Sequence, residues 1–180
     1  MKSLNAEQFT TLRHLLAKAK LATKEEFETN DTHADGIYRK YFDSDLEYNH
    51  SGYKEDKKLH INSSAMTLYS LTNTDLKEFV SDIIGQDSNK VSAIHTLTYY
   101  EGDFAANHTD PSDYTFTVIL EDNFDGGEYY FKGKEHPMKR NGDYVTHRGK
   151  VDFHEVKKVT RGTRKCLVVW WKGVDSKTLL

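Results

Sequence analysis

Apolar residues recur at helical spacing in two segments of the first half of the chain. Near the N-terminus, Asn5 can cap a helix and Gln8 follows it at the spacing of a capping box. The apolar stripe that follows consists of Phe9, Leu12, Leu15, Leu16 and Ala19, with His14 off this face. Thr72-Asn73 can cap a second helix that ends at Gly85, and its stripe consists of Leu76, Phe79, Val80, Ile83 and Ile84. Both helices are predicted to support the fold without taking part in chemistry.

After Asn89 the helical period disappears and short apolar or alternating runs follow, separated by turn residues. The predicted strands are Val91 to Tyr100, Tyr114 to Leu120, Glu128 to Phe131, Tyr144 to Thr146, Val151 to Val156 and Lys165 to Lys172. Asp125-Gly126-Gly127 supplies turn chemistry between two of them. Strands at such regular intervals indicate an antiparallel double-sheet jelly roll, so the fold class is α+β and mainly β, with N-terminal supporting helices.

The segment from Thr23 to Leu59 is polar and rich in acidic residues, and it predicts a long loop or hairpin. Its aromatic residues, among them Tyr38 and Tyr41, would let it dock on a surface. His33, His50 and His60 are assigned to this region of the chain and not to a metal site.

The length of 180 residues suits one domain, with helices and loop in residues 1–89 and the jelly-roll core in residues 90–173. Aromatic residues make up 12% of the chain, which predicts a core filled largely by rings. The net charge of -3 argues against nucleic acid or an anionic membrane as partner. The oligomeric state is left open.

Cys166 is the single cysteine, so no internal disulfide can form, and its place in an apolar run predicts a packed small residue. The sequence has no apolar run of membrane-spanning length and no secretory signal near Met1. A cytoplasmic location is the resulting expectation.

Candidate chemistry lies in His108-Thr109-Asp110, His154 and Arg164. In an extended segment His108 and Asp110 point to one face, and His154 at the start of a later strand is a natural third ligand. Two imidazoles and one carboxylate form the facial triad of non-heme Fe(II) oxygenases. The His-x-Asp pair alone is weak, because it recurs at His33-Ala34-Asp35. Arg164 would suit the far carboxylate of a dicarboxylate that chelates the metal.

The order of motifs in about the last 80 residues is more specific evidence of function than the His-x-Asp pair alone. It runs through Tyr99-Tyr100-Glu101-Gly102, the His-x-Asp pair, Phe124-Asp125-Gly126-Gly127-Glu128, Gly142-Asp143-Tyr144-Val145, His154-Glu155-Val156, and Arg164 through Trp170. This set resembles the catalytic core of the 2-oxoglutarate- and Fe(II)-dependent oxygenases of the prolyl hydroxylase type.

The resemblance implies that His108, Asp110 and His154 bind Fe(II), and that Arg164 anchors 2-oxoglutarate. It also implies that Tyr99 or Tyr100 bonds the same carboxylate, with Tyr99 favoured. The same likeness implies ascorbate as reductant and a prolyl residue in a peptide or protein as substrate. It also implies that residues 23–59 close over that substrate, with a plain insertion as the alternative for this segment.

Two departures from the resembling family lie in this core. Many collagen-type members have Lys where Arg164 stands, which the family tolerates. Many members have Tyr-Leu-Asn where this chain has Ile119-Leu120-Glu121, which removes one possible pocket tyrosine.

Four other functions fit part of the pattern. A free amino acid or another small molecule could be the substrate. A zinc hydrolase could use the same ligand types but would not need the Gly-Gly turn or Arg164. A non-catalytic cupin-like module would have no use for a carboxylate clamp. Nucleic-acid demethylases share the triad but usually carry a pair of arginines farther along the chain, which this sequence lacks after Arg164.

Overall fold

The computed structural model describes residues 1–23, 25–26, 47–49 and 65–174. Both predicted helices are present, α1 at Ala6–Lys18 and α2 at Thr74–Ile84. The capping box of α1 forms in both directions, since the Gln8 N–H donates to Asn5 Oδ1 at 2.8 Å and the Asn5 N–H donates to Gln8 Oε1 at 3.0 Å. Helix α2 ends at Gly85, whose φ of 70° is the left-handed conformation that glycine adopts without strain.

Asn73 precedes α2 as predicted, but its side chain does not cap the helix. Its Oδ1 accepts from the Lys20 N–H at 2.8 Å, and its amide nitrogen donates to the carbonyls of Lys20 at 2.8 Å and Ser70 at 2.7 Å. The side chain is therefore used to tie the segment after α1 to the start of α2.

The described residues form thirteen strands. These are β1 Lys2–Ser3, β2 Glu47–Asn49, β3 Ala65–Leu68, β4 Val91–Tyr99, β5 Ala105–His108, β6 Tyr114–Glu121, β7 Phe124–Gly126, β8 Tyr129–Phe131, β9 Lys134–His136, β10 Asp143–His147, β11 His154–Val156, β12 Val159–Gly162 and β13 Arg164–Trp171. A 3-10 turn, Ser88–Lys90, precedes β4.

The strands form three antiparallel sheets. The large sheet has the order β1-β10-β6-β13-β4-β3-β2, the second has the order β5-β11-β8-β9, and β12 pairs with β7. Two facing sheets with two helices outside them make a double-stranded β-helix, so the predicted fold class is confirmed.

All six predicted strands exist, with ends that differ by a few residues. The largest difference is at Val151, where the chain first makes a turn and β11 begins only at His154. The strands that the pattern did not predict include β5, β7, β9 and β12, which have only three or four residues each. Such segments are too short to show a period of their own.

The core has two parts, one on each face of the large sheet. Helices α1 and α2 cover the outer face, where Leu12, Leu76 and Trp171 are buried. The inner face packs against the smaller sheet through Tyr99, Tyr129 and Trp170, among others. The predicted burial of Cys166 is confirmed on this inner face.

Strand β13 and its partner β4 place several side chains in the space between the two sheets. Its Arg164 lies opposite Tyr99, and its Val168 lies opposite His95 on β4. Because alternate residues of a strand share a face, Arg164, Val168 and their partners all point inward.

The predicted lid at residues 23–59 lies mostly outside the described residues, as do His33, His50 and His60. Within it, Glu47–Asn49 forms β2 and pairs with β3. In the part of the chain that the structure describes, neither helix has the length and apolar character needed to cross a membrane.

Candidate metal centre

The three predicted ligands come together between the two sheets. One donor atom from each of His108, Asp110 and His154 lies within 4.8 Å of the others. Asp110 Oδ1 is 3.5 Å from Nε2 of His108 and 3.4 Å from Nε2 of His154. This set of donors fits an Fe(II) ion bound by two imidazoles and one carboxylate.

Two strands of the smaller sheet place the imidazoles. His108 is the last residue of β5, His154 is the first of β11, and the two residues are direct partners across the sheet. Asp110 is not part of β5, the strand on which His108 lies. It follows β5, where its backbone N–H donates to the Gly149 carbonyl at 2.8 Å.

Backbone carbonyls orient both imidazoles. Nδ1 of His108 is 2.6 Å from the Ala106 carbonyl, and Nδ1 of His154 is 3.2 Å from the Asp152 carbonyl. A ring that donates from Nδ1 keeps the lone pair of Nε2 for a metal. Both Nε2 atoms face the Asp110 carboxylate, where a bound metal would take their lone pairs.

The turn before His154 is held by ion pairs to Asp152. Arg148 donates to both carboxylate oxygens, at 2.8 and 3.2 Å, and Lys132 lies 3.2 Å away. Burial alone would raise the pKa of Asp152, but the hydrogen bonds and charges of Arg148 and Lys132 outweigh it and hold the pKa far below its ordinary value. This fixed carboxylate anchors the turn from which the Asp152 carbonyl reaches His154.

Asp110 is buried and ionised. Burial alone would raise its pKa, but the charge of His154 and hydrogen bonds from the surrounding imidazoles hold the pKa well below its ordinary range. In turn, Asp110 raises the pKa of His154 against the opposite effect of burial. A carboxylate that stays charged in a buried position suits a dication.

A third imidazole, which the sequence pattern did not single out, lies at this site. Nε2 of His147, the last residue of β10, is 3.2 Å from Asp110 Oδ2, and the His147 ring lies 4.4 Å from that of His154. His147 lies two residues after the inward-facing Val145, and this alternation was the available signal.

Arg164 lies at the first position of β13 and is completely buried. None of its three side-chain nitrogens has a hydrogen-bond partner among the residues that the structure describes. The rings of Tyr99 and Phe124 flank the guanidinium, and the Cys166 thiol lies nearby, but a weak sulfur acceptor cannot balance a full charge. A buried cation of this kind normally requires an anion.

The Gly126-Gly127 turn leaves room for Arg164. A Cβ at Gly127 would lie 3.1 Å from Arg164 Cδ and 3.1 Å from Val159 Cγ2, and the glycine has a φ of 61°. Both the contact and the conformation favour glycine here. The turn therefore has a packing role beside the predicted anion anchor.

Three tyrosines differ in how they relate to this cation. Tyr99 is buried with its ring centroid 5.4 Å from the Arg164 guanidinium carbon, whereas Tyr100 is 49% exposed. Tyr129, which the sequence pattern did not single out, is also buried, and its hydroxyl has no hydrogen-bond partner in the described part of the chain. Burial raises the pKa of Tyr129 well above its ordinary value, with Asp110 adding to the rise and Arg164 opposing it.

No protein-family model matches the sequence, and no curated protein matches it. Among solved structures, the fold is similar to a Pseudomonas putida prolyl-4-hydroxylase, with a TM-score of 0.55 and 16% identity over 95% of this chain and 90% of that one. It is also similar to a viral collagen prolyl hydroxylase from Paramecium bursaria Chlorella virus-1, with a TM-score of 0.50 and 16% identity over 67% of this chain and 85% of that one.

A Burkholderia pseudomallei protein of the 2OG-Fe(II) oxygenase family has a TM-score of 0.44 and 16% identity. The match covers 61% of this chain and 66% of that protein, just under two thirds of its length. At this level of identity the likenesses to the two prolyl hydroxylases establish the fold alone, and function has to be argued from the residues of the site.

Proposed function

We propose that this protein is an Fe(II)- and 2-oxoglutarate-dependent dioxygenase that hydroxylates prolyl residues in a peptide or protein. The observation that carries the proposal is the buried guanidinium of Arg164, which lacks a hydrogen-bond partner among the described residues and shares an interior with the His108, Asp110 and His154 cluster. A group of three metal ligands alone fits many proteins. A buried guanidinium without an anionic partner among the described residues, in the same interior, fits an acidic cosubstrate.

His108, Asp110 and His154 would hold the iron, which when bound supplies the oxidising chemistry and accepts one end of a 2-oxo acid. Arg164 would hold the far carboxylate by charge-assisted hydrogen bonds. The buried apolar residues of the inner face, including Val159 and Ile119, would exclude water from this interior.

Tyr99 and Tyr129 are the two candidates for a neutral hydrogen bond to the far carboxylate. Tyr99 follows from the resemblance and stacks near Arg164. Tyr129 is favoured by its buried hydroxyl, which has no hydrogen-bond partner among the described residues. It would take the role of the tyrosine that many members of the resembling family have where this chain has Ile119. A neutral hydrogen bond contributes about 1 kcal/mol, so its loss would raise the KM for 2-oxoglutarate about fivefold. Of Tyr99→Phe and Tyr129→Phe, the variant that removes the bonding hydroxyl should show this rise and the other should not. Tyr100→Phe is the exposed control.

The proposal is tested by succinate release with and without Fe(II), with ascorbate as reductant. We expect iron-dependent turnover by the wild type, none by His108→Ala or Asp110→Ala, and unchanged turnover by His14→Ala on the exposed face of α1. Equal turnover by the ligand variants and the wild type would contradict the assignment. Metal binding without any succinate would favour a cupin-like module, and hydrolysis with zinc would favour a hydrolase.

The substrate class is tested by mass spectrometry. Proline-containing peptides and cellular proteins are incubated with iron, ascorbate and 2-oxoglutarate, beside free L-proline under the same conditions. We expect a gain of one oxygen on peptidyl proline, because the predicted lid is longer than a small metabolite would need and two similar folds are those of prolyl hydroxylases. A gain on free proline alone would establish the small-molecule alternative.

The lid is tested separately by deletion of residues 30–50. If the segment closes over a peptide, the deletion should abolish peptide hydroxylation and leave succinate formation without substrate intact. Unchanged peptide turnover would show that the segment is a plain insertion.

A further inference from the structure

His147 contacts the proposed metal centre but does not belong to its ligand set. The group of mutually close donor atoms consists of His108, Asp110 and His154, whereas Nε2 of His147 approaches the other oxygen of the Asp110 carboxylate, Oδ2, at 3.2 Å. The side chain of His147 is completely buried. A buried imidazole at this place needs a role, because burying its polar atoms is costly.

The two oxygens of Asp110 have separate partners. Oδ1 faces the Nε2 atoms of His108 and His154, at 3.5 and 3.4 Å. Oδ2 accepts from Thr115 Oγ1 at 2.8 Å and from His147 Nε2 at 3.2 Å. A carboxylate oxygen offers about two lone-pair directions, so these two donors occupy Oδ2 and leave only Oδ1 for a metal.

Neither donor can turn away easily. Thr115 lies on β6 directly opposite His147 on β10, and its hydroxyl is 2.8 Å from that of Ser112. The His147 ring is packed against the rings of His154 and Phe131, at centroid distances of 4.4 and 6.0 Å. The arrangement therefore fixes both the position of Asp110 Oδ2 and its use.

We propose that His147 is a positioning residue that keeps Asp110 a one-oxygen metal ligand. The inference rests on the proposed function. A carboxylate that bound through both oxygens would occupy a further coordination position. A chelating 2-oxo acid would then leave no position open for dioxygen on a six-coordinate ion. With His147 and Thr115 holding Oδ2, three positions stay open.

Co(II) replaces iron in the test, because its visible absorption reports coordination number without turnover. His147→Phe keeps an aromatic ring and removes both nitrogens, and His147→Gln keeps a donor that can reach Oδ2. Loss of a group that orients a metal ligand typically costs about 10- to 100-fold in metal affinity. We expect a loss of this size and an altered Co(II) spectrum for His147→Phe, with most of both restored in His147→Gln.

His95→Phe is the matched control, because His95 is also buried on the inner face, whereas the hydrogen bonds to Asp110 Oδ2 come from Thr115 and His147. It should keep wild-type Co(II) affinity and spectrum. Circular dichroism checks that each variant folds. If His147→Phe does not fold, Thr115→Val removes the other Oδ2 donor from the opposite strand and should give the same loss of affinity and spectral change.

The outcomes separate the inference from the proposed function. Wild-type protein that does not bind Co(II) would contradict the proposed metal site. Wild-type affinity and spectrum in the folded His147→Phe variant, or in Thr115→Val where that variant is used, would overturn the positioning role. An equal loss of Co(II) affinity in His147→Phe, His147→Gln and Asp110→Ala would also overturn the positioning role, since His147 would then be a ligand itself.

Discussion

Replacing Arg164 with leucine should remove about half or more of the stabilisation that 2-oxoglutarate gives the folded protein. The guanidinium is fully buried and its nitrogens have no hydrogen-bond partner among the described residues, so the incoming carboxylate would supply its counter-charge. A charge-assisted contact contributes about 1.5 to 3 kcal/mol, so affinity should fall about tenfold to a hundredfold. The three metal ligands stay in place, so metal affinity should hardly change.

The magnitude can be checked in an unfolding experiment. At a 2-oxoglutarate concentration of about 100 times the wild-type Kd, a ligand adds about 2.7 kcal/mol to the free energy of unfolding. With affinity weakened tenfold to a hundredfold, the same concentration adds only about 1.4 to 0.4 kcal/mol. The assay is urea unfolding of metal-loaded protein without oxygen, with and without 2-oxoglutarate.

The ligand-free proteins provide a second comparison. An uncompensated buried charge costs several kcal/mol, so ligand-free Arg164→Leu should be at least as stable as the ligand-free wild type. Arg161→Leu is the control, because Arg161 is exposed and pairs with Asp125. Full stabilisation of Arg164→Leu by 2-oxoglutarate would refute the role of Arg164, and loss in Arg161→Leu would transfer it there.

Two further predictions concern pH and the glycine turn. Burial lowers the pKa of His95 from 6.5 to about 4, so the unfolded chain takes up a proton between these values that the folded chain does not. This contribution to stability is complete above pH 6.5 and is lost as the pH falls, by about 2 kcal/mol between pH 7 and 5. The free energy of unfolding is measured in urea at both pH values. Between pH 7 and 5, His95→Gln should lose about 2 kcal/mol less of this free energy than the wild type, and His14→Gln should lose as much as the wild type. Equal losses in all three proteins would contradict the assignment. Gly127→Ala should raise the KM for 2-oxoglutarate because its Cβ would press on Arg164, whereas Gly133→Ala, with a similar positive φ but open space around it, should leave that KM unchanged; equal changes in the two variants would show that only backbone strain matters.

The sequence predicted those parts of the molecule whose signals are local or ordered along the chain. The capping box at Asn5 and the stop at Gly85 are local signals, and both form as expected. The three candidate ligands were selected by chemistry and order, and the fold brings them within 4.8 Å of one another. Their binding of iron remains a prediction.

The remaining parts depend on pairing between distant strands. His147 and Tyr129 lie in short alternating segments, and only the pairing of β10 with β6 and of β8 with β11 turns these side chains inward. Asn73 could not be assigned its actual partner, because the Lys20 backbone comes from 53 residues earlier in the chain. Strand β5 was missed because four residues, among them the polar Asn107 and His108, show no clear alternation.

The direct pairing of His108 with His154 has a kinetic consequence. Among the described residues, strand β5 lies at the edge of its four-stranded sheet and pairs only with β11. An ion held by both histidines would act as a cross-link between these strands, so its escape and the fraying of β5 would be one event. The lifetime of the loaded protein would then follow the opening rate of this edge strand, and hydrogen exchange at the amides of Ala105–His108 would measure that rate.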